Sequence, residues 1–199
     1  MTRTSLIPFI DKDRRLILGS NSPRRRELLA GLGLEFELDA RSSFEESPFE
    51  GGDAYSLPLK MSEGKSLGFH RPLENDEVLI TADTVVIIDG KVLGKPRDRE
   101  DAIAMLHLLS GRVHEVVTAV SLRSSEKMKS FSVTTKVEFN ELNDSTIEYY
   151  VDKFRPFDKA GAYGIQEWIG YVGIKGIEGS YYNVMGLPVN RLYRELLEF

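Results

Sequence analysis

The sequence predicts a single α/β domain spanning residues 1–199 and built on a mixed β-sheet. Short apolar runs typical of strands alternate with amphipathic segments typical of helices. One pair of strands is joined by the hairpin signal Asp89-Gly90, so the sheet is not purely parallel. A chain of 199 residues without an internal repeat or a linker fits one domain with a substantial core.

The elements follow from hydrophobic periodicity and from turn residues. Strands are predicted at 15–19, 34–38, 77–88, 91–93, 113–122 and 130–139, the last two as a possible hairpin. Helices are predicted at 23–31, 59–69, 98–109 and 144–153, and Pro188 begins a last helix that reaches Leu197. Residues 39–58 are predicted to form a long loop, and the glycine-rich, aromatic segment 156–188 completes the chain.

Composition excludes several classes of protein. The net charge of −5 argues against nucleic-acid binding and favours a small polyanion held by a few local cations. The absence of cysteine excludes disulfides, thiolate metal sites and cysteine nucleophiles. No run approaches the ~20 apolar residues of a membrane span, and the N-terminal residues do not resemble a signal peptide, so we expect a cytoplasmic protein with no membrane partner.

The most informative segment runs from Leu16 to Leu29. A buried strand leads into Gly19-Ser20-Asn21, and Ser22-Pro23 is a strong helix start. Arg24 and Arg25 then occupy the first helical turn, where the helix dipole disfavours cations. This arrangement predicts an anion site, although a solvated basic helix start would give the same pattern.

Three further positions could carry chemistry. Asp83 lies inside an apolar strand and requires a partner, so it could hold Mg²⁺ or accept a proton from water, unless backbone N–H groups satisfy it. Lys95, between Gly94 and Pro96, suits a phosphate, although an ordinary loop lysine would give the same pattern. Gln166 offers a donor and an acceptor to a base edge, although a glycine-rich turn between strands explains its segment equally well. Neither a P-loop nor a dinucleotide fingerprint is present, and the histidines have no zinc-ligand spacing.

Four ordered segments carry a resemblance to a known family. They are Ser20-x-Ser22-Pro23-Arg24-Arg25-x-Glu27-Leu28-Leu29; Ala82-Asp83-Thr84-Val85-Val86 with Gly94-Lys95-Pro96; Leu109-Ser110-Gly111-Arg112-x-His114-x-Val116-x-Thr118; and Asp158-Lys159-Ala160-Gly161-Ala162-Tyr163-Gly164-Ile165-Gln166, continuing to Glu178-Gly179-Ser180-Tyr181-Tyr182-Asn183-Val184-x-Gly186-Leu187-Pro188. From about residue 15 onward the chain resembles the Maf family of nucleoside triphosphate pyrophosphatases.

This resemblance implies an elongated mixed sheet with two lobes around a cleft, and a homodimer. It implies hydrolysis of a nucleoside triphosphate to the monophosphate and pyrophosphate with a divalent cation, Mg²⁺ or Mn²⁺. Asp83 and Glu46 would hold the metal or activate water. The groups expected to hold the triphosphate are Ser20, Arg24, Arg25, Lys65 and the catalytic Lys95.

Within the family, Arg24 and Gln166 match the branch that resembles dTTP/UTP pyrophosphatases. The expected substrates are therefore dTTP and UTP, including modified pyrimidine nucleotides. The alternative is a nucleotide-binding regulator of cell division with little turnover, which would not need the carboxylates of Asp83 and Glu46.

The sequence departs from the family pattern in three places. Residues 47–64, with Gly51, Gly52, Pro58 and Gly64, do not predict the regular helix expected before Lys65. An extra residue in the 38–44 loop leaves Glu45 and Glu46 as alternatives. Glu167 and Trp168 follow Gln166 where glycine is common, which would narrow or reshape the base pocket.

Overall fold

The computed structural model describes residues 14–46, 49 and 51–199, and within them a mixed sheet of seven strands. The strands are β1 (Arg15–Leu18), β2 (Phe36–Leu38), β3 (Glu77–Ile88), β4 (Lys91–Leu93), β5 (Val113–Arg123), β6 (Met128–Phe139) and β7 (Ile174–Glu178). The helices are α1 (Pro23–Gly31), α2 (Leu57–Leu67), α3 (Arg99–Leu109), α4 (Asp144–Phe154), α5 (Trp168–Gly173), α6 (Tyr181–Met185) and α7 (Val189–Glu198). The predicted α/β class with a mixed sheet is confirmed.

The strand order explains why the sheet is mixed. Along the sheet the order is β2-β1-β3-β5-β6-β7, and β4 pairs with β3 outside this path. β1 runs parallel to β2 and β3, while the remaining pairs are antiparallel. The β3–β4 hairpin turns at Asp89 and Gly90, which both have positive φ angles, as the Asp-Gly signal predicts.

Two hydrophobic clusters lie at opposite ends of the long strands β3 and β5. Val78 and Ile80 belong to the first cluster, which α1 and α7 cover, and Val86 and Ile88 belong to the second, which α3 and α4 cover. The middle of β3, around Asp83, lies between them. This division of the core gives the two lobes implied by the resemblance, and it leaves the centre of β3 open to a ligand.

Most predicted elements are confirmed, with corrections at their boundaries. The strand predicted from residue 34 begins at Phe36, and the helix predicted at 59–69 spans Leu57–Leu67. The expectation of an irregular segment before Lys65 was wrong from residue 57 onward, because Pro58 occupies the first turn of α2, where its missing N–H is not needed. The predicted loop at 39–58 also contains a 3₁₀ turn, Ala54–Ser56.

The glycine-rich segment, residues 156–188, holds more regular structure than its composition indicates. It contains α5, β7 and α6. Two predictions fall on residues that the structure does not describe. These are part of the predicted long loop, at residues 47, 48 and 50, and the signal-peptide expectation, which depends on residues 1–13. In the described part of the chain no helix has the length and apolar character needed to cross a membrane.

Candidate active site

A cavity of about 940 Å³ opens at the middle of β3, between the two ends of the core. We call it the central pocket. Every residue that the sequence singled out as a candidate site residue lines it, namely Ser20, Arg24, Arg25, Glu46, Lys65, Asp83, Lys95 and Gln166. The fold thus brings together side chains that are up to 146 positions apart in the sequence.

Arg25 is the central cation of the pocket. Ser22 caps α1 by accepting a hydrogen bond from the Arg25 backbone N–H, so the arginine lies in the first helical turn as predicted. Its guanidinium donates to the Gly186 carbonyl (2.9 Å), to Thr84 Oγ1 (3.1 Å) and to Ser20 Oγ (3.4 Å). Within the described part of the chain it forms no ion pair. Burial lowers the pKa of Arg25, against the attraction of the Asp83 and Glu46 carboxylates.

A guanidinium held by neutral acceptors keeps its charge available to a ligand. Arg25 also lies in the first turn of α1, at the positive end of the helix dipole, so both contributions favour an anion. The anion-site interpretation of this segment is therefore better supported than a solvated basic helix start.

Arg24 pairs with a carboxylate of the glycine-rich segment. Its Nη1 lies 2.7 Å from Asp158 Oδ2, and Lys159 Nζ lies 2.7 Å from the other oxygen, Oδ1. Burial alone would raise the pKa of Asp158, but the hydrogen bonds from Lys159 and Arg24 lower it to about 2. The carboxylate stays ionised and bridges the first turn of α1 to the glycine-rich segment.

One lysine joins the two carboxylates of the site. Lys65 Nζ lies 2.6 Å from Asp83 Oδ1 and 2.7 Å from Glu46 Oε1. The hydrogen bond from Lys65 lowers the pKa of Glu46. The side chains of Lys65 and Asp83 are only 19% and 17% exposed, whereas that of Glu46 is 57% exposed. Asp83 thus has the side-chain partner that its place in an apolar strand required.

Gly64 explains how Glu46 reaches this lysine. A side chain at position 64 would overlap the ring of Phe44, so glycine lets the loop pack directly on α2. The loop then delivers Glu46, while Glu45 does not line the pocket. Of the two alternatives, Glu46 is the one that the structure places at Lys65 and in the pocket.

The carboxylates of Asp83 and Glu46 fit a hard divalent cation. Because both contact one ammonium group, they lie close together at the pocket wall. The described residues contain no group of three or more His, Cys, Asp or Glu that could enclose a metal. Such a pair suits Mg²⁺, which is commonly held by one or two carboxylates together with water and substrate phosphates.

Gln166 and Tyr163 line the part of the pocket formed by the glycine-rich segment. Gln166 Oε1 is buried without a hydrogen-bond partner among the described residues, which leaves an acceptor for a ligand. The Tyr163 hydroxyl lies 2.7 Å from His114 Nε2. Burial lowers the pKa of His114 to about 4, so this histidine supports the wall as a neutral ring.

Comparison with known proteins places this arrangement in a family. Residues 15–199 match the family described as Maf-like protein. The chain belongs to the Maf family. It is 50% identical to a dTTP/UTP pyrophosphatase of Parabacteroides distasonis over 188 residues, which cover 94% of this chain and 97% of that protein.

A second relative has the same description as the first. This Maf family member is 50% identical to a dTTP/UTP pyrophosphatase of Porphyromonas gingivalis, over 94% of its own length and 96% of the relative. A HAM1 protein from Coxiella burnetii has a TM-score of 0.49 and 13% identity over 94% of this chain and 100% of that one, which is too low for an inference.

Sequence reasoning missed several residues that shape the site. Asp158 and Lys159 stood in a family motif without a role, although adjacent opposite charges before a glycine-rich turn were a possible signal. Thr84 follows Asp83 on the other face of β3, where it accepts from Arg25 and contacts Thr118 Oγ1 at 3.0 Å. Only the strand register reveals these contacts.

Proposed function

We propose that this Maf family member hydrolyses dTTP and UTP, including modified pyrimidine nucleotides, to the monophosphate and pyrophosphate. The observation that carries the proposal is the pairing of Asp83 and Glu46 through Lys65 in the same pocket as Arg25, a cation without a carboxylate partner in the described part of the chain. The names of the relatives, all at about half identity, support the same reaction.

The triphosphate binds at the charged end of the pocket. Arg25 and the first turn of α1 contact phosphate oxygens, with Ser20 beside them. Arg24 and the exposed Lys95 add charge on either side, and Lys95 already acts electrostatically on Glu46. Neutralising the phosphates in this way stabilises the charge that develops in the transition state.

Asp83 and Glu46 hold a divalent cation, Mg²⁺ or Mn²⁺, which supplies charge neutralisation of the triphosphate when bound. Asp83, the more buried of the two carboxylates, accepts a proton from the water that attacks the α-phosphate. Lys65 donates to Asp83 Oδ1 and to Glu46 Oε1 and keeps the two carboxylates oriented toward the pocket. Pyrophosphate is the leaving group, and it departs toward the cationic side chains that bind the triphosphate.

Gln166 selects the base. Uracil and thymine present a carbonyl oxygen and an N–H on one edge, and an amide side chain can satisfy both. Gln166 offers the unpartnered Oε1 to the N–H and its NH₂ group to the carbonyl. This complementarity favours dTTP and UTP over purine triphosphates.

Pyrophosphate release from a panel of nucleoside triphosphates, with Mg²⁺ or Mn²⁺ and with chelator, tests the proposal. We expect metal-dependent turnover of dTTP and UTP well above that of the purine nucleotides. Preferred turnover of a purine would overturn the base assignment and retain the reaction. Binding of UTP without release of pyrophosphate would overturn the hydrolase assignment and support the regulatory alternative. The expected homodimer stays a prediction, which sedimentation of the same preparation would test.

A further inference from the structure

A side chain behind the central pocket has no role in the site described so far. Glu167 follows Gln166 directly, but it does not line the pocket. Its side chain is only 20% exposed. Its backbone N–H donates to the Gly164 carbonyl at 2.9 Å, which closes a turn around Ile165 and Gln166. Gln166, the residue that would face the base, therefore lies inside a turn that ends at Glu167.

The Glu167 carboxylate holds the same turn a second time through Tyr150. One carboxylate oxygen, Oε2, accepts a short hydrogen bond from the Tyr150 hydroxyl. That hydroxyl in turn accepts a hydrogen bond of 2.9 Å from the Gly164 N–H. Tyr150 is fully buried in the core, so its position is set by packing and not by solvent. Both ends of the turn are thus tied to one carboxylate.

The other carboxylate oxygen contacts a lysine that lines the pocket. Glu167 Oε1 lies 3.0 Å from Lys159 Nζ, and this lysine also contacts Asp158, the partner of Arg24. A Cβ atom on Gly164 would lie 2.9 Å from Glu167 Cδ and from Lys159 Cε. The ion pair is therefore packed directly against the backbone of the turn, with no room for a side chain between them.

We propose that Glu167 is a positioning residue for base recognition, which acts through the Tyr150 hydroxyl on the turn that carries Gln166. The inference rests on the proposed function, because it takes Gln166 as the contact for the pyrimidine base. Glu167 touches neither the substrate nor the reacting atoms. Its loss should weaken substrate binding and selectivity and leave the chemical step in place.

Two substitutions break the connection at different points. Glu167→Ala removes the carboxylate, and Tyr150→Phe removes only the hydroxyl and keeps the aromatic ring in the core. Each should raise KM for dTTP and UTP about tenfold, the lower range for losing a hydrogen bond to a charged group, with kcat within about threefold of the wild type. The preference for UTP over ATP should fall by a similar factor.

Two further variants separate positioning from general destabilisation. Glu167→Gln keeps an acceptor for Tyr150 and should restore KM to within about threefold of the wild type. Glu195→Gln is the matched control, because Glu195 is a buried carboxylate that contacts Lys129 and Arg191 away from the pocket. It should leave KM, kcat and the base preference unchanged.

Steady-state kinetics with dTTP, UTP and ATP, supported by calorimetric binding of UMP to each variant, gives the result. A wild-type KM in Glu167→Ala, or in Tyr150→Phe alone, would overturn the inference, as would an equal change in Glu195→Gln. If Glu167→Ala does not fold, Tyr150→Phe and Glu167→Gln decide. A wild type that releases no pyrophosphate would contradict the proposed function instead, and weaker UMP binding by Tyr150→Phe would still support the positioning role.

Discussion

The two ends of the central pocket are lined by different kinds of side chain. The end proposed for the phosphates concentrates charge, because Arg25, Lys65 and Asp83 line the pocket at the middle of β3 and on the elements beside it. The end proposed for the base presents Tyr163, whose hydroxyl contacts His114, and Gln166, which lies in a turn and has a buried Oε1 without a partner among the described residues. Charged side chains raise the affinity for any anionic ligand, whereas fixed neutral donors and acceptors distinguish one ligand from another.

This difference predicts a division of labour that substitutions can test. Changes at the phosphate end should reduce the rate or the affinity for every nucleoside triphosphate alike, because all of them carry the same phosphates. Changes at the base end should alter the ratio between nucleotides and leave the common chemistry. A substitution that violates this division would show that the two ends act as one unit.

Asp83→Asn should have the largest effect. The amide keeps the size of the side chain but cannot accept the proton of the attacking water, so kcat should fall about a thousandfold. Binding of UTP, measured by calorimetry, should remain close to that of the wild type. Asp89→Asn is the control, since Asp89 pairs with Arg112 at the exposed hairpin away from the pocket. Near-normal turnover in Asp83→Asn would remove this carboxylate from the mechanism.

Arg25→Ala should follow in size. The substitution removes the guanidinium that neutral acceptors hold beside the first turn of α1, and we expect about a hundredfold loss of kcat/KM for dTTP, UTP and ATP alike. Arg26→Ala provides a control on the same helix, because Arg26 is exposed and does not line the pocket. A loss confined to pyrimidine nucleotides would contradict the assignment of Arg25 to the phosphates.

Gln166→Glu tests the base end. A carboxylate can accept from the pyrimidine N–H but repels the neighbouring carbonyl, so kcat/KM for dTTP and UTP should fall about tenfold. Turnover of a nucleotide with a positively charged purine, such as 7-methyl-GTP, should rise relative to UTP. Asn140→Asp, an amide-to-acid change at an exposed position, should leave the ratio unchanged. An equal loss for all nucleotides would mean that Gln166 does not read the base.

The same contrast explains what the sequence could predict. Arg25 and Asp83 were identified because each breaks a local expectation: a cation at a positive helix end and a carboxylate in an apolar strand. Ser22 was identified because a serine before proline is a favoured helix start. Asp158 and Glu167 break no such rule. Their roles depend on contacts with Arg24 and Tyr150, which lie 134 and 17 positions away in the sequence.

The boundary of α2 shows the same limit for the fold. Glycine and proline in residues 47–64 argued against a helix by propensity. In the structure Pro58 lies in the first turn of α2, and Gly64 meets the ring of Phe44, so tertiary packing outweighs the propensity cost. The strands were easier to predict, because β3 and β5 carry long apolar runs between clear turn residues.

The smallest expected effect concerns the support of the base end, and it appears in stability. Burial lowers the pKa of His114 from 6.5 to about 4 in the folded protein, so between these values the unfolded chain binds a proton that the folded chain does not. Lowering the pH must therefore favour unfolding, by roughly 1 kcal/mol between about pH 7 and pH 5.5. Urea unfolding of the wild type and of His114→Asn over this range measures the effect, and the variant should lose that part of the dependence. The carboxylates with lowered pKa values, such as Asp158, contribute only at lower pH, since their stabilising charge is lost as the pH falls below about 4. If the unfolding free energy of the variant depends on pH as that of the wild type does, His114 takes up a proton in the folded state. The assignment of a neutral His114 ring beside Tyr163 would then be wrong.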